Sequence, residues 1–257
     1  MLSTVSEEGL KFIVIFFRVA AIFWFLPIFS LRSVPMPYKV GFSLCVTIVL
    51  LDVVVIDAVQ NYADPYLMAI QILKEIFIGL TISYFVRTLF TVVYVAGDVA
   101  AIQTGFSFAR VMDPFNMNQS SVLEQFMNLL AIMVFFAIDA HHVLLRGILL
   151  SFKELPVGIL MPNKALLNQV IELAGKIFSV GFKIGAPVIV TLFLIEISLG
   201  LLSRLIPQIN VFIEGMPIKI LVTMMVLGFS LGAIAASVAT IFKGMDMEIL
   251  RIMKNMV

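Results

Sequence analysis

The chain has 257 residues, of which 61% are hydrophobic and 13% charged, with a mean hydropathy of +1.12 and a formal net charge of +1. Ordinary globular domains carry roughly 45–50% apolar and about 25% charged residues, so this composition excludes a typical soluble domain and implies an integral membrane protein or part of a membrane-buried assembly. Near-neutral charge without blocks of one sign excludes nucleic-acid binding, and the single cysteine, Cys45, excludes an internal disulfide and any multi-cysteine metal site.

The N-terminal MLSTVSEEGLKF sets Glu7 and Glu8 ahead of the first apolar run, the reverse of a signal peptide's basic start. No A-x-A-like cleavage site follows, so the first segment is expected to be retained. Six apolar segments then run from about Leu10 to Leu31, Tyr38 to Ile56, Tyr66 to Ala101, Val122 to Phe152, Lys176 to Arg204 and Met216 to Phe242. Most reach the roughly 20 residues that cross a hydrocarbon core about 30 Å thick. None alternates apolar and polar residues as a lipid-facing barrel strand does, which predicts an all-α, membrane-protein-like subunit of about six long, partly broken helices. As one helix, Tyr66 to Ala101 would extend about 54 Å, so that element must tilt, break or leave the bilayer.

Ionisable residues recur inside these runs: Lys11 and Arg18, then Asp52, then Lys74, Glu75, Arg87 and Asp98, then Glu124 and Asp139, Lys183 and Glu196, and Lys219. Each costs about 2.5–3.5 kcal/mol at a bilayer centre. Those near segment ends can snorkel to the interface. Asp52, Arg87, Lys183 and Glu196 are harder to place that way and are expected to form a buried charge network, facing protein neighbours or a water-filled passage; pairing within one bundle is the alternative.

Small residues mark helix packing near the C-terminus. Gly228, Gly232, Ala236, Thr240 and Gly244 recur every four positions, and Gly181 and Gly185 precede Pro187 in the segment before. Such spacing lets backbones approach closely, which predicts a close-packed C-terminal hairpin whose partner lies inside or outside the chain, with a kink at Pro187.

Catalytic patterns are missing. The two histidines, His141 and His142, are adjacent and diverge by about 100° on a helix, without the H-E-x-x-H spacing that puts two imidazoles on one metal. Asp139, His142 and Arg146 share a helical face, as expected of a structural polar network at a segment end. No G-x-S-x-G, P-loop or dinucleotide fingerprint occurs, so the protein is expected not to be an enzyme and to need no cofactor. A transporter, a channel or a membrane subunit of a larger assembly is left.

The stretches FFRVAAIFWFLPIFSLRSVPMPYKVGFSL, KEIFIGL through GDVAAIQTGFSFARVMDPFNMNQSSVLEQFMNLLAIMVFFAIDAHHVLL, and APVIVTLFLIEISLGLLSRLIPQINVFIEGMPIKIL resemble the R-type subunits of the flagellar type III export gate, the FliR family, whose injectisome counterparts are the T subunits. The resemblance covers nearly the whole chain in order, and its specific parts are GFSFA…DP…Q and PQINVF. It implies a non-enzymatic, pore-forming subunit in the bacterial inner membrane, within the flagellar basal body. Its implied partners are P-type and Q-type subunits, the B-type and A-type membrane proteins of the export apparatus, the basal-body ring and unfolded secreted proteins. It further implies that residues 1–170 are similar to a P-type subunit and residues 171–257 to a Q-type hairpin with a tail. Helices of such a complex lie largely above the bilayer plane, which accounts for the ionisable residues.

The resemblance also implies that residues 105–121, GFSFARVMDPFNMNQSS, form a plug that closes the secretion pore. Gly105, Phe106, Phe108, Asp113, Pro114 and Gln119 match the family positions, with Met112, Phe115 and Met117 assigned by their place between them. Physical chemistry supports such a role. Met and Phe make an apolar seal, the unbranched thioether repacks around a passing chain, and Gly105, Pro114, Asn116 and Asn118 keep the segment out of a regular helix. The competing expectation is a self-sufficient ion-coupled transporter or channel using Asp52, Arg87, Asp139, Lys183 or Glu196.

Overall fold

The computed structural model describes residues 2–30, 34–54, 65–106, 121–158, 160, 163–206, 208 and 211–256, the side chains of 2–7, 30 and 211–213 excepted. Among them no strand occurs, and the all-α expectation holds. The helices are α1 Leu2–Phe25, α2 Pro27–Ser30, α3 Met36–Leu51, α4 Pro65–Thr104, α5 Val122–Ala137, α6 Ala140–Glu154, α7 Lys164–Leu205, α8 Val211–Lys243 and α9 Met245–Lys254.

Three described helices are long and apolar enough to cross a membrane: Pro65–Thr104, Lys164–Leu205 and Glu214–Lys254; α5 with α6 makes a fourth when the bent pair is taken as one span. α3, at 16 residues, falls short of a crossing. α4 continues unbroken for 40 residues, about 60 Å, so of the ways to fit its length a break is the one it does not use. The fourth apolar run does break: α5 and α6 are bent by 71° at Asp139, whose φ of 57° lies in the left-handed region that non-glycine residues rarely occupy. α7 runs through Pro187 without interruption, and the Thr191 hydroxyl donates to the Pro187 carbonyl at 2.8 Å.

By packing, the chain divides into two units. The first comprises Met1–Thr88, Asp139–Leu173 and Lys243–Val257. Here α1 packs on α3 and α6 on α9. α1 closely approaches α4 at Gly79, where a Cβ would stand 2.6 Å from the Arg18 carbonyl oxygen and 2.7 Å from Ala21 Cβ. Backbone cannot yield as a side-chain tip can, so only glycine fits there. One turn earlier on α4, Glu75 receives the Arg18 side chain, and both are fully buried. Arg18 Nε donates to Glu75 Oε2, Nη1 to the Ser151 carbonyl at 2.8 Å and Nη2 to the Leu155 carbonyl at 3.1 Å. Its guanidinium also lies over the Phe152 ring, 4.1 Å from the centroid. The carbonyls lie at the C-terminal end of α6, where the dipole favours a cation; that of Ser151 also accepts from the Leu155 N–H at 3.1 Å. One arginine thereby joins α1, α4 and α6 inside a core of Ile15, Ile22, Ile78, Ile82, Ile148 and Leu155. Asn255 donates to Gln169 at 2.7 Å, linking the start of α7 to the end of the chain.

The second unit comprises Leu89–Ile138 and Ala174–Phe242. Phe90, Phe135 and Phe242 meet with centroids 4.9–5.4 Å apart. At Gly97 on α4 a Cβ would come within 3.1 Å of Glu124 Cα and Met127 Cβ, which sets the close approach of α5.

The small-residue faces have different surroundings. Gly181 and Gly185 do sit at a close helix contact, but with α4: a Cβ at Gly181 would stand 3.0 Å from the Val92 carbonyl, and one at Gly185 3.3 Å from that of Ala96. Gly228 and Gly232 have nothing within 4 Å of a Cβ, and Ala236 beside them on α8 is exposed. The small-residue faces therefore do not zip α7 onto α8; one is taken by α4 and the other is open. Asp52, Arg87, Lys183 and Glu196 are all exposed on the chain, as side chains that face protein neighbours or a water-filled passage would be, rather than gathered inside one bundle. Arg18 with Glu75 is an ion pair whose side chains are both fully buried. An ion inside a helical unit needs several donors and acceptors aimed at it, and at Arg18 the Ser151 and Leu155 carbonyls supply them.

Candidate functional site: the anchored ends of the α4–α5 connection

α4 ends where Gly105 takes a φ of +92°, a backbone state open to glycine at little cost and the usual way to end a helix. Its N–H donates to the Ile102 carbonyl at 3.2 Å. The preceding Thr104 is fully buried. Its hydroxyl donates to the Ala100 carbonyl at 2.6 Å and lies 3.2 Å from the hydroxyl of Thr223 on α8, which donates to the Lys219 carbonyl at 2.7 Å. Each hydroxyl has one hydrogen, so the pair makes two of these three bonds at any instant and can exchange them. Lys219 Nζ stands 2.7 Å from Glu196 Oε1 on α7 and 3.5 Å from the Gln103 carbonyl. A cation is thus held at the negative end of α4, where the last carbonyls need donors. Met216, one turn before Lys219 on α8, is the nearest side chain to the space beside Gly105, with Cγ 3.8 Å from a Cβ built there.

The other end of the connection is fixed by different chemistry. Ser121 is the N-cap of α5, with φ −64° and ψ 159°, and its side chain accepts from the Glu124 N–H at 3.3 Å. Glu124 is buried and accepts from the Tyr94 hydroxyl of α4 at 3.0 Å. Between the two ends lies an apolar crevice lined by Ala96, Gly97, Ala100, Leu123, Met127, Gly185, Val188, Leu227 and Ile234, contributed by α4, α5, α7 and α8. No ionisable or nucleophilic side chain lines it, so it offers packing rather than chemistry.

Of the residues expected to form the plug, Gly105 and Phe106 are half-buried in this anchored turn. Phe108, Met112, Asp113, Pro114, Phe115, Met117 and Gln119 lie outside the described residues. Glu196, expected in a network with Asp52, Arg87 and Lys183, pairs instead with Lys219. The anchoring residues Thr104, Ser121, Lys219 and Thr223 were not singled out from the sequence as a site. One signal was available there: Ser121-x-x-Glu124 is the spacing of a helix-capping box.

Residues 10–245 match the family described as "Bacterial export proteins, family 1". Among individual relatives, the chain is 30% identical over 234 residues to "Flagellar biosynthetic protein FliR" of Bacillus subtilis (strain 168), covering 90% of each chain. It is 30% identical over 227 residues to the protein of that name from Escherichia coli (strain K12), covering 86% of each. With that of Aquifex aeolicus (strain VF5) it shares 27% identity over 244 residues, 93% of this chain and 92% of the relative.

Proposed function

The chain belongs to the FliR family of bacterial export proteins, membrane components of the flagellar export apparatus, and we propose that it is a pore-forming subunit of the export gate whose α4–α5 connection closes the pore. On this reading it acts without catalysis in the bacterial inner membrane, within the basal body. It assembles with P-type and Q-type subunits, contacts the B-type and A-type membrane proteins, and lets unfolded flagellar proteins cross. Residues 1–170 take the place of a P-type-like region and residues 171–257 that of a Q-type-like hairpin.

The observation that carries this reading is the uneven cover of the long apolar helices. In the most apolar stretch of Pro65–Thr104, 61% of the residues are buried within the chain, against 22% for Lys164–Leu205 and 17% for Glu214–Lys254. Lys183 and Glu196 on α7 are exposed among those apolar side chains, and burial of an ion in lipid is costly. Neighbouring protein gives such a surface both apolar contact and polar partners. The anchored loop ends support the plug, because a seal that opens needs fixed points on either side of a segment able to move. The transporter alternative draws less support, since Asp52, Arg87, Asp139, Lys183 and Glu196 are all exposed on the chain.

Affinity isolation of the tagged chain from a flagellated host tests the assembly. The expected result is a stable complex retaining P- and Q-type subunits in mild detergent. Recovery of the chain alone under conditions that preserve other membrane complexes would count against it.

A further inference from the structure

Asp139, His141 and His142 stand at the break between α5 and α6, all within the first packing unit. Neighbours on a helix diverge by about 100°. In the structure the rings lie side by side, with centroids 4.1 Å apart and tilted by 36°. One donor atom from each of the three residues falls within 4.8 Å of the others. Asp139 is the N-cap residue of α6, yet its carboxylate makes no capping bond to the backbone, which is the ordinary use of aspartate at that position. It turns instead to His142, with Oδ1 3.5 Å from Nδ1. The left-handed backbone at Asp139, φ 57° and ψ 26°, is what brings the carboxylate over the first turn of α6, beside the imidazoles.

We propose that Asp139, His141 and His142 form a binding site for a divalent first-row transition ion with the coordination chemistry of Zn²⁺. Two imidazole nitrogens and one carboxylate oxygen are a donor set this class of ion prefers over Mg²⁺ or Ca²⁺, which favour oxygen alone. Zinc bonds of about 2.0–2.2 Å place tetrahedral donors about 3.3 Å apart, so donors now within 4.8 Å of one another must close in by about 1.5 Å at most. Side-chain rotation can supply this, because the Asp139 and His142 side chains are 73% and 67% exposed. Three protein donors leave the fourth position to water. The ion ties Asp139 to the two residues that open α6 and so fixes the turn at which the apolar run breaks. The site is separate from the loop anchors and does not depend on the gate reading.

The test uses the full chain, purified in detergent with a histidine-free affinity tag and treated with chelator. Co²⁺ is titrated and followed by its visible absorption, and Zn²⁺ is then added in competition. The expected result is saturation at one ion per chain and displacement by Zn²⁺. Asp139→Asn, His141→Asn and His142→Asn should each weaken binding by more than about a hundredfold, beyond the roughly 10- to 100-fold that loss of an outer-shell partner costs. Cys45→Ser removes the exposed thiol and should leave binding unchanged. Melting curves of the metal-free variants check that each still folds as the parent does. The proposal is overturned if no saturable binding occurs, if the triple variant binds as tightly as the parent, or if binding is lost with Cys45.

Discussion

Arg18→Met should lower the apparent melting temperature of the purified chain by about 10 °C, or prevent its accumulation. The substitution keeps a long apolar side chain but strands the fully buried Glu75 carboxylate. It also removes the donors to the Ser151 and Leu155 carbonyls at the end of α6. Removing one member of a buried ion pair costs about 3–5 kcal/mol, and in a chain of this size each kcal/mol moves the midpoint by about 2–4 °C. Glu75→Leu should be similarly damaging, because it leaves the guanidinium with the carbonyls but without a counter-ion. The double variant Arg18→Met with Glu75→Leu separates pairing from packing: apolar replacement of a whole buried pair is often neutral, so it should recover much of the loss. Thermal unfolding in detergent, read at one scan rate, measures all three. Additive losses in the double variant would mean that the two residues act independently and that the pair does not join α1 to α4.

The second large effect is expected at the α4–α5 connection. Deleting residues 110–119 from the assembled gate should raise small-ion leakage while leaving assembly intact. The structure gives the reason for expecting intact assembly: Thr104, Lys219 and Thr223 at one end, and Ser121, Glu124 and Tyr94 at the other, are bonded independently of the deleted segment. The deletion removes Met112, Phe115 and Met117, the side chains suited to an apolar barrier. Ion flux into vesicles holding the wild-type or deleted complex measures the change, and equal leakage would count against a seal.

Periodicity around each charge held more information than its position in an apolar run. Arg18 falls on one stripe with the buried Val14 and Ile22, and Glu75 on one with Gly79, Ile82 and Val86, so both were readable as inward-facing. Arg87 shares its stripe with Tyr84 and Tyr94, which are 40% and 39% exposed, and that spacing marks an outward face. The helices themselves were legible because their runs are long and apolar. The break at Asp139 was not, since no glycine or proline marks it and a left-handed backbone is uncommon at any other residue. Small-residue spacing showed which faces permit close approach. Spacing alone does not name the neighbour, and α4 rather than α8 took Gly181 and Gly185. Of the loop anchors, the capping pattern at Ser121 was visible, whereas Lys219 with the Gln103 carbonyl joins positions 116 residues apart, beyond the reach of local pattern.

Ion flux measured in parallel for vesicles holding the purified chain alone and vesicles holding it co-purified with its P- and Q-type partners tests the central claim most directly. The account predicts no specific flux from the chain alone, and a closed pore in the complex that opens when residues 110–119 are removed. Sustained ion conductance from the lone chain, unchanged when the partners are added, would contradict it.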